Sequence, residues 1–197
     1  MKAARDVADP GKDGHGTWPV RTRRAGSEDS MARVRSMLIL VLLLLLAGCG
    51  PAAGAAHRGE VAPDFALKDL SGEEVRLSDY RGTAVLVHFW TTWCPSCRVE
   101  MPELQKAQAS LGRDRLIVLA VNLTWQDNRQ EVAHMVGDLG LTFPILLDEE
   151  GQVALTGYRV SVLPTSVFVD PAGKIYQVQV GPMTQAFVER LLEEMGR

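Results

Sequence analysis

Apolar and polar positions along the chain predict an α/β domain beyond residue 60. Two nearly continuous apolar runs, 83–90 and 115–123, are typical of buried central strands. Apolar residues recur at helical spacing in three segments, 97–111, 127–139 and 184–195, which we expect to be helices. Strands that alternate with helices predict a layered α/β sandwich.

Shorter segments complete the predicted sheet and make it mixed. A β-hairpin is expected at the start of the domain, and a second hairpin with a Pro-Ala-Gly turn is expected near its end. The remaining predicted elements are, in chain order, the first hairpin at 64–77, a strand at 142–148, a short helix within 149–158, and the second hairpin at 164–180.

The first 60 residues follow a different pattern. Residues 1–30 are polar, without an apolar period, and we expect them to be disordered or, if translation starts at Met31, not translated. Residues 31–48 resemble a secretory signal, in which Arg33 and Arg35 precede an apolar run too short to span a bilayer comfortably. An ordinary membrane anchor is the alternative.

The signal ends in Leu-Ala-Gly-Cys, which resembles the bacterial lipobox. We therefore expect a lipoprotein whose Cys49 carries lipid and anchors an extracytoplasmic domain to the bacterial cell membrane. Residues 49–60 are then a flexible linker, and 61–197 are the folded domain. A plain secreted protein cleaved nearby is the alternative.

Charge excludes one class of partner. The 197 residues carry a net charge of −3, but the first 48 hold 8 of the 21 Lys and Arg and 5 of the 24 Asp and Glu. The rest of the chain therefore has 13 basic and 19 acidic residues. A mildly acidic domain offers no electrostatic footprint for nucleic acid.

The remaining two cysteines, Cys94 and Cys97, follow a predicted strand and open a predicted helix. Unpaired N–H groups in the first helical turn favour a thiolate at Cys94, and Pro95 suits that turn. Cys97 lies one turn further on and is close enough to close a disulfide. The spacing therefore predicts an attacking thiol and a resolving thiol.

A metal site and a structural disulfide are weaker interpretations of the Cys pair. A structural zinc site needs four ligands, and the four histidines fall at no ligand spacing. A disulfide ring this small constrains little of the unfolded chain. We expect neither a metal nor a cofactor.

The segment VLVHFWTTWCPSCRVEMPEL, 85–104, resembles the active-site segment of TlpA/ResA-like thiol–disulfide oxidoreductases, thioredoxin-superfamily proteins related to the AhpC/TSA redoxins. The resemblance extends over essentially all of the domain. It implies a thioredoxin-like three-layer sandwich whose mixed central sheet carries an N-terminal β-hairpin extension and, at 127–147, a central αβ insertion. It also implies reduction of disulfides in exported client proteins, often apocytochrome c during cytochrome c maturation, with electrons from a membrane thiol donor.

The resemblance also implies roles for residues around the Cys pair. The Leu163–Pro164 peptide bond is expected to be cis, which leaves the Leu163 backbone free to pair with an extended client. Trp93 is expected to pack beside the cysteines and to meet the client, and Ser96 completes the dipeptide between them.

Three positions depart from the family pattern or stay ambiguous. His88 stands where plain thioredoxins have a buried Asp and this family often has Asn. We hypothesise that it exchanges the Cys97 proton with a pKa near neutrality, and a hydrogen-bonded core histidine is the alternative. Some relatives carry an acid just past the strand at 115–123, whereas here Asp127 comes later. Glu100 either orients the helix or is solvated.

Two other functions remain open. A peroxiredoxin-like thiol peroxidase would explain the opening of the domain and Thr91, three residues before Cys94, but Val87 occupies the position of the motif's proline. A copper-binding chaperone of the Sco type would need one more residue between the cysteines and a distal histidine, and no histidine follows His134.

Overall fold

The computed structural model describes residues 35–37, which are helical and exposed, and residues 57–196. The predictions for 1–30, for most of the signal at 31–48, and for Cys49 with most of the linker lie outside the described residues. Within those that are described, no helix combines the length and the apolar character needed to cross a membrane.

Five strands form the central sheet of the domain in the order β5-β4-β3-β6-β7. The central strand β3 pairs in parallel with β4 and antiparallel with β6. The sheet strands are β3 (Ala84–Trp90), β4 (Leu116–Asn122), β5 (Ile145–Leu147), β6 (Thr165–Val169) and β7 (Ile175–Val180). Because β3, β4 and β5 are parallel, their carboxyl ends meet at one edge of the sheet.

Three helices cover one face of the sheet, and shorter elements cover the other. The helices are α1 (Pro95–Leu111), α2 (Arg129–Asp138) and α3 (Gln185–Met195). The opposite face packs against a hairpin of β1 (Ala66–Lys68) and β2 (Glu74–Arg76), a 3₁₀ turn at Leu77–Tyr80 and a π-helical turn at Gln152–Gly157. This arrangement confirms the predicted α/β three-layer sandwich with its mixed sheet.

Side chains on β3 alternate between two apolar layers, and this alternation aims His88 at a helix. Leu86 and Trp90 belong to the layer beneath α1, while Val87 and Phe89 belong to the opposite layer. Successive side chains of a strand point to opposite faces, so His88 faces α1 together with Leu86 and Trp90. A histidine inside an apolar layer must find a polar partner or stay neutral.

The shorter predicted segments differ from the observed ones. The expected strand at 142–148 is reduced to Ile145–Leu147. The expected short helix within 149–158 is the π-helical turn, where the Asp148 carboxylate accepts hydrogen bonds from the N–H groups of Val153 (3.4 Å) and Ala154 (2.8 Å). Hydrogen bonds to the Asp148 carboxylate therefore support a segment that is too short for periodicity to define.

Candidate active site

The Cys pair lies where β3 delivers the chain to the start of α1. Cys94 is the residue that caps the helix, and the Cys97 N–H donates to its Sγ at 3.2 Å. The two cysteines form a disulfide, with Cα atoms 5.3 Å apart. Cys94 is 5% exposed and Cys97 is 0% exposed, so an approaching client meets Cys94 first. Such a site supports nucleophilic attack by Cys94 and resolution by Cys97.

The dipeptide between the cysteines occupies the first helical turn. Pro95 is the first helical residue, where its missing N–H leaves no hydrogen bond unmade. Ser96 places its Oγ 3.5 Å from the Cys94 Sγ. Both residues therefore lie beside the reactive sulfur, as the sequence predicts for the C-x-x-C segment.

Trp93 is the largest exposed apolar side chain next to the cysteines. It is 57% exposed, yet its Nε1–H donates to the Gln126 carbonyl at 3.0 Å. An indole held at one end and exposed on its face offers a flat apolar surface next to Cys94.

The Leu163–Pro164 peptide bond is cis, the geometry that the family resemblance implies. β6 begins directly after it at Thr165, which pairs with Phe89 of β3. The Pro164 carbonyl accepts a hydrogen bond from the Gly181 N–H at 2.9 Å. Because Phe89 lies near the end of β3, the cis-proline turn is at the same edge of the sheet as the Cys pair.

His88 differs from the hypothesis made from the sequence. It is fully buried, its Nδ1 lies 2.9 Å from the Ser166 Oγ, and burial lowers its pKa to about 3. The histidine is therefore neutral at physiological pH. The expected pKa near neutrality is wrong, because a charged imidazole would lose its hydration in the apolar layer beneath α1.

Glu100, which the sequence leaves as either helix-orienting or solvated, lies buried behind the cysteines. It is 1% exposed on α1, and its Oε1 lies 3.9 Å from the His88 Nδ1. Burial raises its pKa to about 8, an effect that the nearby Met183 backbone opposes. Both groups are thus neutral at pH 7 and do not form an ion pair. The position of Glu100 one helical turn after Cys97 is the feature of the sequence that indicates a place near the cysteines.

Asp127 is a residue that the sequence does not place at the site. It lies between β4 and α2, and its carboxylate reaches the Thr92 N–H (2.6 Å) and hydroxyl (2.5 Å). The parallel pairing of β3 and β4 explains the contact, because both strands end at this edge. The turn before Cys94 is thus attached to the segment after β4.

Metal ligands are sparse throughout the described part of the domain. No group of three or more His, Cys, Asp or Glu side chains there is arranged to hold a metal ion. His134 instead pairs with Asp138 on the exposed face of α2, with His134 Nδ1 and Asp138 Oδ2 2.9 Å apart.

Comparison with known proteins adds one family match and three similar proteins. The AhpC/TSA family matches residues 58–178. Thiol-disulfide oxidoreductase ResA of Geobacillus kaustophilus is 39% identical over 167 residues, which cover 81% of this chain and 94% of the relative. The solved structure of StoA from Bacillus subtilis is 32% identical with a TM-score of 0.59, covering 66% of this chain and 98% of StoA. The pneumococcal exposed lipoprotein thioredoxin Etrx1 from Streptococcus pneumoniae is 30% identical with a TM-score of 0.58, covering 66% and 98%.

Proposed function

This chain belongs to the AhpC/TSA family and is a ResA-like thiol–disulfide oxidoreductase, and we propose that it reduces disulfides in exported proteins. The observation that carries the proposal is the capping position of Cys94, whose Sγ accepts the Cys97 N–H. In the reduced protein, that donor and the helix N-terminus stabilise a Cys94 thiolate. The thiolate is the species that attacks disulfides.

The proposed reaction proceeds in two exchanges. The Cys94 thiolate attacks a client disulfide, forms a Cys94–client mixed disulfide and releases one client thiolate. Cys97 then loses its proton and attacks the Cys94 sulfur, which forms the Cys94–Cys97 disulfide and releases the second client thiolate. The client gains two electrons from the Cys pair. A membrane thiol donor then reduces the Cys94–Cys97 disulfide and so regenerates the two thiols.

Two alternatives have less support. A thiol peroxidase would need proline at the position of Val87, which is buried within β3. A copper chaperone would need a distal histidine, and His134 pairs with Asp138 instead. No observation on the described residues favours either function over disulfide exchange.

The location of this activity is a second part of the proposal. The lipobox at 46–49 supports lipidation at Cys49, and Etrx1, a similar protein, is described as an exposed lipoprotein. We expect labelled palmitate to enter the full chain expressed in a bacterium and not to enter Cys49→Ser. Equal labelling of both proteins would contradict the lipid anchor.

The clients can be identified by trapping the mixed disulfide. Without Cys97 the intermediate persists, so Cys97→Ala in the native host should accumulate covalent partners that reductant releases. A heme-binding protein with a C-x-x-C-H motif among them would support a role in cytochrome c maturation, and a broad mixture would indicate a general reductase. If Cys94→Ala traps partners and Cys97→Ala does not, Cys94 is not the nucleophile.

A further inference from the structure

Asp127 accepts hydrogen bonds from three separate parts of the chain. Its Oδ2 accepts from the Thr92 N–H at 2.6 Å and from the Asn122 side-chain amide at 2.8 Å. Its Oδ1 accepts from the Thr92 hydroxyl at 2.5 Å and from the Asn128 N–H at 2.8 Å. One partly buried carboxylate thus joins the turn before Cys94, the end of β4 and the start of α2. We call this set of residues the Asp127 clamp.

Capping of α2 does not explain the Asp127 clamp. Asn128 already caps that helix, because its Oδ1 accepts from the N–H groups of Gln130 (2.8 Å) and Glu131 (3.2 Å). Two of the four donors to Asp127 belong instead to Thr92, which is 35 residues away in sequence and two residues before Cys94. The carboxylate therefore acts mainly on the approach to the Cys pair.

A neighbouring hydrogen bond strengthens the same connection. The Trp93 Nε1–H donates to the Gln126 carbonyl, so the adjacent residues Thr92 and Trp93 are attached to the adjacent residues Asp127 and Gln126. Hydrogen bonds to an ionised carboxylate are roughly twice as strong as those between neutral groups. A shift of Cys94 away from the helix cap would have to break several of these bonds.

We propose that Asp127 is a positioning residue for the reaction of Cys94. Its carboxylate fixes the turn at Thr92 and Trp93, which keeps the Cys94 sulfur against the Cys97 N–H and the start of α1. This alignment is what stabilises the Cys94 thiolate in the reduced protein. The inference rests on the proposed function, because positioning matters only if Cys94 reacts.

A purely electrostatic role makes the opposite prediction. A negative charge close to a thiol disfavours the thiolate and raises the thiol pKa. If Asp127 acted only through its charge, removing that charge would make Cys94 more acidic. If it acts by positioning, removing it lets the turn move, and Cys94 becomes less acidic and slower to react.

The test uses three variants of the clamp and one matched control in the full chain. Asp127→Asn removes the charge at nearly constant shape, Thr92→Val removes one hydrogen bond and keeps the charge, and Thr92→Ser keeps both donors. Asp138→Asn is the control, since it removes an exposed acid from the adjacent helix. Peptide-mapped alkylation across pH gives the Cys94 pKa of each reduced protein, and reduction of glutathione disulfide at pH 7 gives the rate constant.

We expect Asp127→Asn and Thr92→Val to raise the Cys94 pKa by about half a unit or more and to slow reduction about 10-fold, since small misplacements of a reacting group have effects of this size or larger. Thr92→Ser and Asp138→Asn should stay within about twofold of wild type. A lower Cys94 pKa in Asp127→Asn would overturn positioning in favour of charge. A lower melting temperature with unchanged pKa and rate in both variants would leave only a structural role.

The two readouts also separate this inference from the proposed function. The alkylation pKa of Cys94 requires no client, so it tests positioning even if the protein reduces no disulfide. If the folded wild-type protein does not reduce glutathione disulfide, that result contradicts the proposed function instead. If Asp127→Asn does not fold, the Thr92→Val and Thr92→Ser pair decides the matter alone.

Discussion

The polar group in front of the Cys pair, Asp127, and the polar groups behind it, His88 and Glu100, have opposite surroundings. In front, the Asp127 carboxylate is partly exposed, and each of its two oxygens accepts two hydrogen bonds. Behind, His88 and Glu100 are fully buried, and the His88 Nε2 and both Glu100 oxygens lack a well-formed hydrogen bond to any residue described. One region is a hydrogen-bonded carboxylate at the surface, and the other is a pair of buried neutral groups.

This difference implies that Asp127 affects the geometry of the site, whereas His88 and Glu100 affect proton binding. A carboxylate that accepts several hydrogen bonds orders the groups that it contacts. Buried titratable groups bind or release protons so as to remain neutral. We therefore expect changes in front to alter the structure of the site, and changes behind to alter how stability depends on pH.

Glu100→Gln should give the largest change. The pKa of Glu100 is about 8 in the folded protein, compared with 4.5 for the group in the unfolded chain. The unfolded chain therefore releases this proton first, and wild-type stability falls as pH rises from 4.5 to 8. Removing the group should abolish that loss, on the order of 3–5 kcal/mol in the free energy of unfolding.

Urea unfolding of the oxidised proteins between pH 4.5 and 8 measures the effect, because the disulfide removes the thiols from the titration. Glu194→Gln, which changes an exposed glutamate on α3, is the control and should follow wild type. Parallel pH dependence of wild type and Glu100→Gln would show that Glu100 is not protonated in the folded state.

His88→Asn should change the opposite pH range by at most a similar amount. Burial lowers the His88 pKa from 6.5 to about 3, so the unfolded chain binds the extra proton and wild-type stability is lost as pH falls from 6.5 to 3. The variant should lose less stability over this range, by on the order of 3–5 kcal/mol. Comparing slopes rather than absolute values removes the packing cost, and His134→Asn is the exposed control. Equal slopes for wild type and His88→Asn would mean that His88 is charged in the folded protein.

Asp127→Ala should give a change that is smaller and independent of pH. Four donors lose a charged acceptor, but water can replace part of the loss at this partly exposed site. We expect a decrease of about 2–3 kcal/mol in the free energy of unfolding, equal at pH 6 and pH 9. Asp138→Ala, which loses only the exposed contact with His134, should cost less than about 0.5 kcal/mol. A cost for Asp127→Ala as small as that would remove the contrast between the two regions.

The sequence predicts the sheet better than it predicts these polar groups. The apolar run at 83–90 is typical of a buried strand, and β3 spans Ala84–Trp90. Glu100 was ambiguous because charged residues are usually solvated, and its burial depends on facing His88 across the interface of β3 and α1. Asp127 comes later in sequence than the acid that some relatives carry after this strand, so the sequence alone does not place it at the site. A polar group after β4 nevertheless lies near the end of β3 once the two strands pair in parallel. In both cases the decisive contacts are created by tertiary packing.

The most direct test of the central claim compares the two single-cysteine variants. Fully reduced Cys97→Ala and Cys94→Ala are mixed separately with glutathione disulfide at pH 7, and the mixed disulfide is quantified by mass over time. Cys97→Ala should form one stable mixed disulfide on Cys94, while Cys94→Ala should react at least about 100-fold more slowly, because Cys97 is buried and lacks the helix-capping position. Equal rates, or faster reaction at Cys97, would contradict the assignment of Cys94 as the attacking thiol.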